Sequence, residues 1–113
     1  MPHFRIEYSR DVEARHDIGE AVKNAFAAGV KTGEMTADAL KVRATPYDHH
    51  MMNVDGGSFV HMTVYLLEGR TVEQKDKIGN ILLESLTESF STVTSVSIDF
   101  RDMEAAAYKK RVL

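Results

Sequence analysis

Three positions in this sequence have types and spacings suited to proton chemistry on an anion. Pro2 stands directly after the initiator methionine. Methionine is normally removed when the next residue is small, so Pro2 is expected to open the mature chain with a free secondary amine. A proline nitrogen is held in a rigid ring, and a strand locked into a sheet would aim it in one direction. Nearby cations and apolar burial both disfavour the protonated amine and bring its pKa toward neutrality, where a general base works best. The plain alternative is that Pro2 merely follows a start codon.

Lys41 and Arg43 are two apart in a segment that alternates with Leu40, Val42 and Ala44. A strand would therefore send both cations to one face. On an ordinary surface they would be solvated. Facing a pocket, they would require an anion, and carboxylates fit best, since Arg offers a planar fork and Lys a compact point charge. The ligand class so implied is a small polycarboxylate.

Other chemistries lack support. The histidines, His3, His16, His49, His50 and His61, show no zinc spacing, so no metal is expected. His61, within Phe59–Met62, is expected to be a hydrogen-bonded structural residue on a strand. No serine lies in a nucleophile elbow, and Gly56-Gly57 lacks the surroundings of a phosphate loop. Cysteine is absent, which excludes disulfides and thiol catalysis.

These residues must be positioned by a small number of elements. His3–Tyr8 alternates Phe4, Ile6 and Tyr8 with polar residues, as a half-buried strand does. After Ser9, the residues Ala14, Ile18, Ala21, Val22, Ala25 and Phe26 recur at helical spacing, predicting an amphipathic helix that runs to about Gly29, with Gly29 and Gly33 as its C-terminal punctuation. Leu40–Thr45 reads as a second strand ending near Pro46, and 47–57 as a loop. Phe59–Leu67 is a third strand. Thr71 and Gln74 form a capping box for a second helix, whose stripe is Val72, Ile78, Gly79, Leu82, Leu83, Leu86 and Phe90. Val96, Ile98 and Phe100 mark a last strand, followed by a polar tail from Glu104.

Strand, helix, strand thus occurs twice, and each half is long enough for a crossover that makes its strands parallel. The expected fold class is α+β, a two-layer sandwich: one domain, 1–113, with a four-stranded sheet and two helices on one face. The other face is expected to carry apolar side chains that self-association covers.

The 113 residues carry 14 Lys and Arg against 17 Asp and Glu, a formal net charge of −3. That balance favours neither nucleic acid nor an anionic membrane as partner. There is no apolar run of membrane-spanning length and no signal-like segment at the start, so a soluble, cytoplasmic protein is expected.

The opening Met1-Pro2-His3-Phe4, the basic strand Lys41-Val42-Arg43, the stretch Phe59-Val60-His61-Met62-Thr63 and the pair Gly69-Arg70 together resemble the 5-carboxymethyl-2-hydroxymuconate isomerase family of the tautomerase superfamily. The resemblance implies a tautomerase-like fold of two β-α-β units and a homotrimer with active sites near subunit boundaries. It further implies a cofactor-independent isomerase acting in the catabolism of aromatic compounds. Pro2 maps onto the catalytic proline, and Lys41 and Arg43 onto a basic strand near substrate carboxylates. Arg70 is a further candidate for substrate binding. Lys41 stands where arginine is usual, which keeps the charge and loses the fork. Another keto-enol acid, or a trimeric relative that binds without catalysing, are the alternatives.

Overall fold

The computed structural model describes residues 2–113, so the expected loss of Met1 concerns a residue outside the described range. Strands β1 (His3–Ser9), β2 (Lys41–Tyr47), β3 (Phe59–Leu67) and β4 (Ser95–Met103) alternate with helices α1 (Ile18–Lys31) and α2 (Val72–Ser89). The strand order is β2-β1-β3-β4. β1 pairs parallel with β2, β3 pairs parallel with β4, and β1 and β3 run antiparallel between them. The doubled strand-helix-strand pattern is therefore realised as two parallel pairs joined at their inner strands.

The alternation places Phe4, Ile6 and Tyr8 of β1 and Val60, Met62, Val64 and Leu66 of β3 in one buried core. There they join Ala21 and Ala25 of α1 and Ile78, Leu82 and Leu86 of α2. Both helices cover that face, giving a two-layer α+β domain. None of the described helices is long and apolar enough to cross a membrane.

The first helix differs from the expectation at both ends. Arg10–Ala14 forms a separate 3-10 turn, and Ala14 takes no place in the helical stripe. Asp17 has extended backbone angles and its carboxylate accepts the Glu20 amide at 3.0 Å. This cap starts the helix at Ile18 and prevents its extension backward. At the far end the helix continues through Gly29 to Lys31. Gly29 is no terminator: a Cβ there would lie 2.8 Å from the Phe4 ring and 2.9 Å from Leu40, so the residue is needed for close packing of α1 on the sheet. The turn is made by the other expected glycine, Gly33, at φ 76°, where a side chain would be strained.

β2 runs through Pro46 to Tyr47, which is tolerated because β2 is an edge strand. The Thr71–Gln74 capping box forms as expected, with both hydrogen bonds present at 2.9 and 3.1 Å. Two members of the expected α2 stripe stay outside the core: Val72 is 77% and Leu83 39% exposed.

The helix-free face carries the expected apolar side chains among a larger number of polar ones. It presents His3, Arg5 and Glu7 on β1, Lys41, Arg43 and Thr45 on β2, His61 and Thr63 on β3, and Ser97, Asp99 and Arg101 on β4. Among the described strand residues, Phe59, Leu67 and Met103, with the rings of Tyr47 and Tyr65, add apolar surface. Cross-strand polar contacts lace it: Tyr47 donates to Glu7, and His61 Nδ1 lies 2.7 Å from the Ser97 hydroxyl. The strict period of two sent the apolar residues to the helices and left the polar ones here.

Candidate functional site

Pro2 is buried at the mouth of β1. Its carbonyl accepts the Lys41 amide at 3.1 Å, so the first peptide of the described chain is tied to β2. Pro2 precedes β1, whose Phe4 faces the helices. The register His3↔Lys41 and Arg5↔Arg43 sets four side chains together on the opposite, open face. Pro2, Lys41 and Arg43 thus share one end of the β1–β2 pair, with both cations on one face as the alternation predicts.

None of these cations makes an ion pair with a described residue. Among the described residues no carboxylate approaches Arg5, Lys41 or Arg43 closely enough for an ion pair; the ion pairs present involve Arg10, Lys75, Lys77 and Arg101. Lys41 Nζ donates to the Ala39 carbonyl at 3.3 Å. Arg5 lies over the Tyr65 ring, 5.5 Å from its centre, a cation–π contact that holds its charge without neutralising it. Arg43 Nη1 donates to His3 Nδ1 at 3.1 Å. Positive charge concentrated without a counter-charge is a ready anion site.

Arg70 is placed differently. β3 ends beside the start of β1, since His3 pairs with Tyr65, and the chain leaves toward α2 at that same end of the sheet. The Arg70 guanidinium donates to the Glu34 carbonyl at 2.8 Å, which ties it to the segment between α1 and β2. It joins neither Lys41 nor Arg43.

His3 and Tyr108 are residues that the sequence pattern did not single out. His3 Nε2 lies 2.9 Å from the Tyr108 hydroxyl, which belongs to the C-terminal tail. The tail is held over the sheet by backbone bonds from Ala107 and Tyr108 to Glu104 and by the Ala105 amide bonding to the Glu68 carboxylate. Burial and then the charges of Arg43, Lys41 and Lys110 hold the His3 pKa below its ordinary 6.5. The signal available in sequence was only the parity of His3 with Arg5 and of Lys41 with Arg43.

No described group of three or more His, Asp or Glu residues converges as a metal site. His50 Nε2 contacts the Gly57 carbonyl at 3.1 Å, closing the loop between β2 and β3, and His49 does not share that contact.

Residues 2–111 match the family model described as 5-carboxymethyl-2-hydroxymuconate isomerase. No curated protein matches in sequence. Among solved structures, a 5-carboxymethyl-2-hydroxymuconate delta-isomerase superposes at TM-score 0.83, covering 99% of this chain and 88% of its own at 16% identity. An isomerase of the same description from Deinococcus radiodurans R1 gives 0.82, with 97% and 88% covered and 21% identity. A fused 4-OT wild-type symmetric trimer gives 0.75, with 90% and 85% covered and 18% identity. These identities establish the tautomerase-like fold, and the sequence match to the family model is independent of them.

Proposed function

The chain belongs to the 5-carboxymethyl-2-hydroxymuconate isomerase family and is a tautomerase-type isomerase; from that premise we propose that it isomerises an unsaturated hydroxy or keto polycarboxylate with the Pro2 amine as its base. The first substrate to try is 5-carboxymethyl-2-hydroxymuconate itself, an intermediate of aromatic-compound catabolism.

The observation that carries this reading is the set of unpaired cations, Lys41 and Arg43, at the end of the sheet where β1 begins with buried Pro2. Once Met1 is gone, Pro2 carries a secondary amine. Burial and neighbouring positive charge both favour its neutral form. The neutral amine takes a proton from the substrate, electrons shift through the conjugated system, and the protonated amine returns the proton to another carbon. No net electrons are exchanged, so this sequence requires no redox partner. Arg43 and Lys41 hold substrate carboxylates and stabilise the developing dienolate by fixed positive charge. Arg70, on the helix side of the same end, is a further binding group if substrate displaces its bond to Glu34.

A homotrimer with active sites near subunit boundaries belongs to this proposal. It is supported by the likeness to fused 4-OT trimers. The polar character of the open face predicts an interface built on hydrogen bonds and ion pairs more than on apolar area. Light scattering on the purified protein measures the assembly.

The test is ultraviolet-monitored isomerisation of 5-carboxymethyl-2-hydroxymuconate by processed protein, with Pro2→Ala alongside. Turnover that collapses in the variant supports the base. Turnover that survives unchanged overturns it.

A further inference from the structure

Proton bookkeeping along Arg43, His3 and Tyr108 fixes the direction of each hydrogen bond. A guanidinium has donors only, so Arg43 Nη1, 3.1 Å from His3 Nδ1, makes Nδ1 the acceptor. The neutral ring then carries its hydrogen on Nε2 and donates it to the Tyr108 oxygen across 2.9 Å. A ring whose pKa is held below 6.5 is neutral at pH 7, in agreement with that geometry. With its oxygen accepting from His3, Tyr108 directs its own hydrogen elsewhere. No described residue accepts it.

That free donor borders a small cavity of about 190 Å³ lined by His3, Arg5, Arg43, Tyr65, Met103 and Tyr108. The recess is open to solvent and its volume equals that of about six waters of bulk liquid, room enough for one arm of a substrate. Two guanidinium groups and a hydroxyl donor line it, and no acid does. A recess whose charged groups are all cations, beside the apolar Met103 and the Tyr65 ring, is complementary to a carboxylate.

We propose that Tyr108, Arg5 and Arg43 form a subsite for one carboxylate of the substrate, with His3 as the positioning residue that turns the Tyr108 hydroxyl toward it. The proposal rests on the reading of this chain as an isomerase of polycarboxylates, and adds which residues select for an additional carboxylate. A hydrogen bond to a charged group that is equally strong in ground and transition states lowers KM and leaves kcat alone.

The test begins with Tyr108→Phe, which keeps the ring edge-on to His3 at its 6.1 Å separation and removes only the hydroxyl. KM for the tricarboxylate is expected to rise about tenfold with kcat within about twofold. For a dienol with a single carboxylate the rise in KM is expected to be clearly smaller than for the tricarboxylate. His3→Gln supplies an acceptor and a donor in one side chain and is expected to retain the low KM, whereas His3→Leu is expected to behave like Tyr108→Phe. An unchanged KM in Tyr108→Phe, or an equal rise for the monocarboxylate, overturns the subsite. Calorimetric titration with glutarate and butyrate needs no turnover and separates the two levels. Glutarate binding weakened about tenfold in Tyr108→Phe, with butyrate weakened clearly less, upholds the subsite even in a protein that proves inactive, and equal weakening of the two overturns it. Pro2-dependent turnover with Tyr108→Phe indistinguishable from wild type removes the subsite and leaves the isomerase reading standing.

Discussion

His3 and Tyr108 stand 105 positions apart in sequence, and their side chains meet at 2.9 Å. The contact joins the residue after Pro2 to the C-terminal tail, so the two ends of the chain are folded onto one patch of the open sheet face. The tail, which reads in sequence as a polar appendage, thereby becomes part of the neighbourhood of the candidate base.

Protonation of His3 is expected to break that arrangement, because Nδ1 would then be a donor facing the Arg43 guanidinium. The groups around the ring are Arg5 on β1, Lys41 and Arg43 on β2, Tyr65 on β3, and Tyr108 and Lys110 in the tail, with the Arg101–Asp99 pair one strand further. In the folded protein the ring protonates below 6.5, the ordinary value at which the unfolded chain takes up its proton. Between the two values the unfolded chain binds more protons, so stability rises with pH there. The contribution of His3 is complete above 6.5 and is lost as pH falls through its lowered folded value. Urea denaturation from pH 5 to 7.5 should show this slope in the wild type and a smaller one in His3→Gln; identical slopes would contradict it.

Arg43→Lys is expected to raise KM for a polycarboxylate by at least about tenfold, since an ammonium cannot bond His3 Nδ1 and clamp a carboxylate in one plane. Lys41→Arg is expected to leave KM unchanged or lower, because the fork adds a donor at a position where charge is already present. Steady-state kinetics on both variants decide the matter; a larger penalty at Lys41 than at Arg43 would reverse the roles.

Gly29→Ala is expected to destabilise the fold by about 1–3 kcal/mol, the usual cost of overpacking. Its new methyl would meet Phe4, fully buried, at 2.8 Å. Gly79→Ala is the contrasting case. There the nearest atom is on Phe100 at 3.2 Å, a half-buried ring with room to give, and the gain in helix propensity is up to about 1 kcal/mol. Chemical denaturation should therefore separate the two glycines in sign.

Much of this was legible from spacing. The period of two in β1 and β2 put Lys41 and Arg43 on one face, and Thr71 and Gln74 announced the start of α2. The same alternation held the information that the open face is largely polar, since His3, Arg5, Lys41 and Arg43 all fall on it, beside the apolar side chains expected there. Gly29 reads as punctuation in a sequence because its close partners, Phe4 and Leu40, are distant along the chain. The role of Arg70 could not be read from Gly69-Arg70 alone, since its partner is a backbone carbonyl, at Glu34, and carbonyls leave no mark in sequence. Tyr108 was invisible for a related reason: its partner is chosen by the path of the tail across the sheet.

The central claim is that the Pro2 nitrogen must be a free amine. The most direct measurement compares kcat/KM for 5-carboxymethyl-2-hydroxymuconate between protein lacking Met1 and protein kept with Met1 by blocking its aminopeptidase, each verified by intact mass. Retention changes no other residue of the sequence and turns the amine into an amide without basicity. A general base contributes about 10²–10⁴ in rate, so the Met1-retaining protein is expected to be slower by at least about a hundredfold. Equal rates in the two forms would contradict catalysis by Pro2.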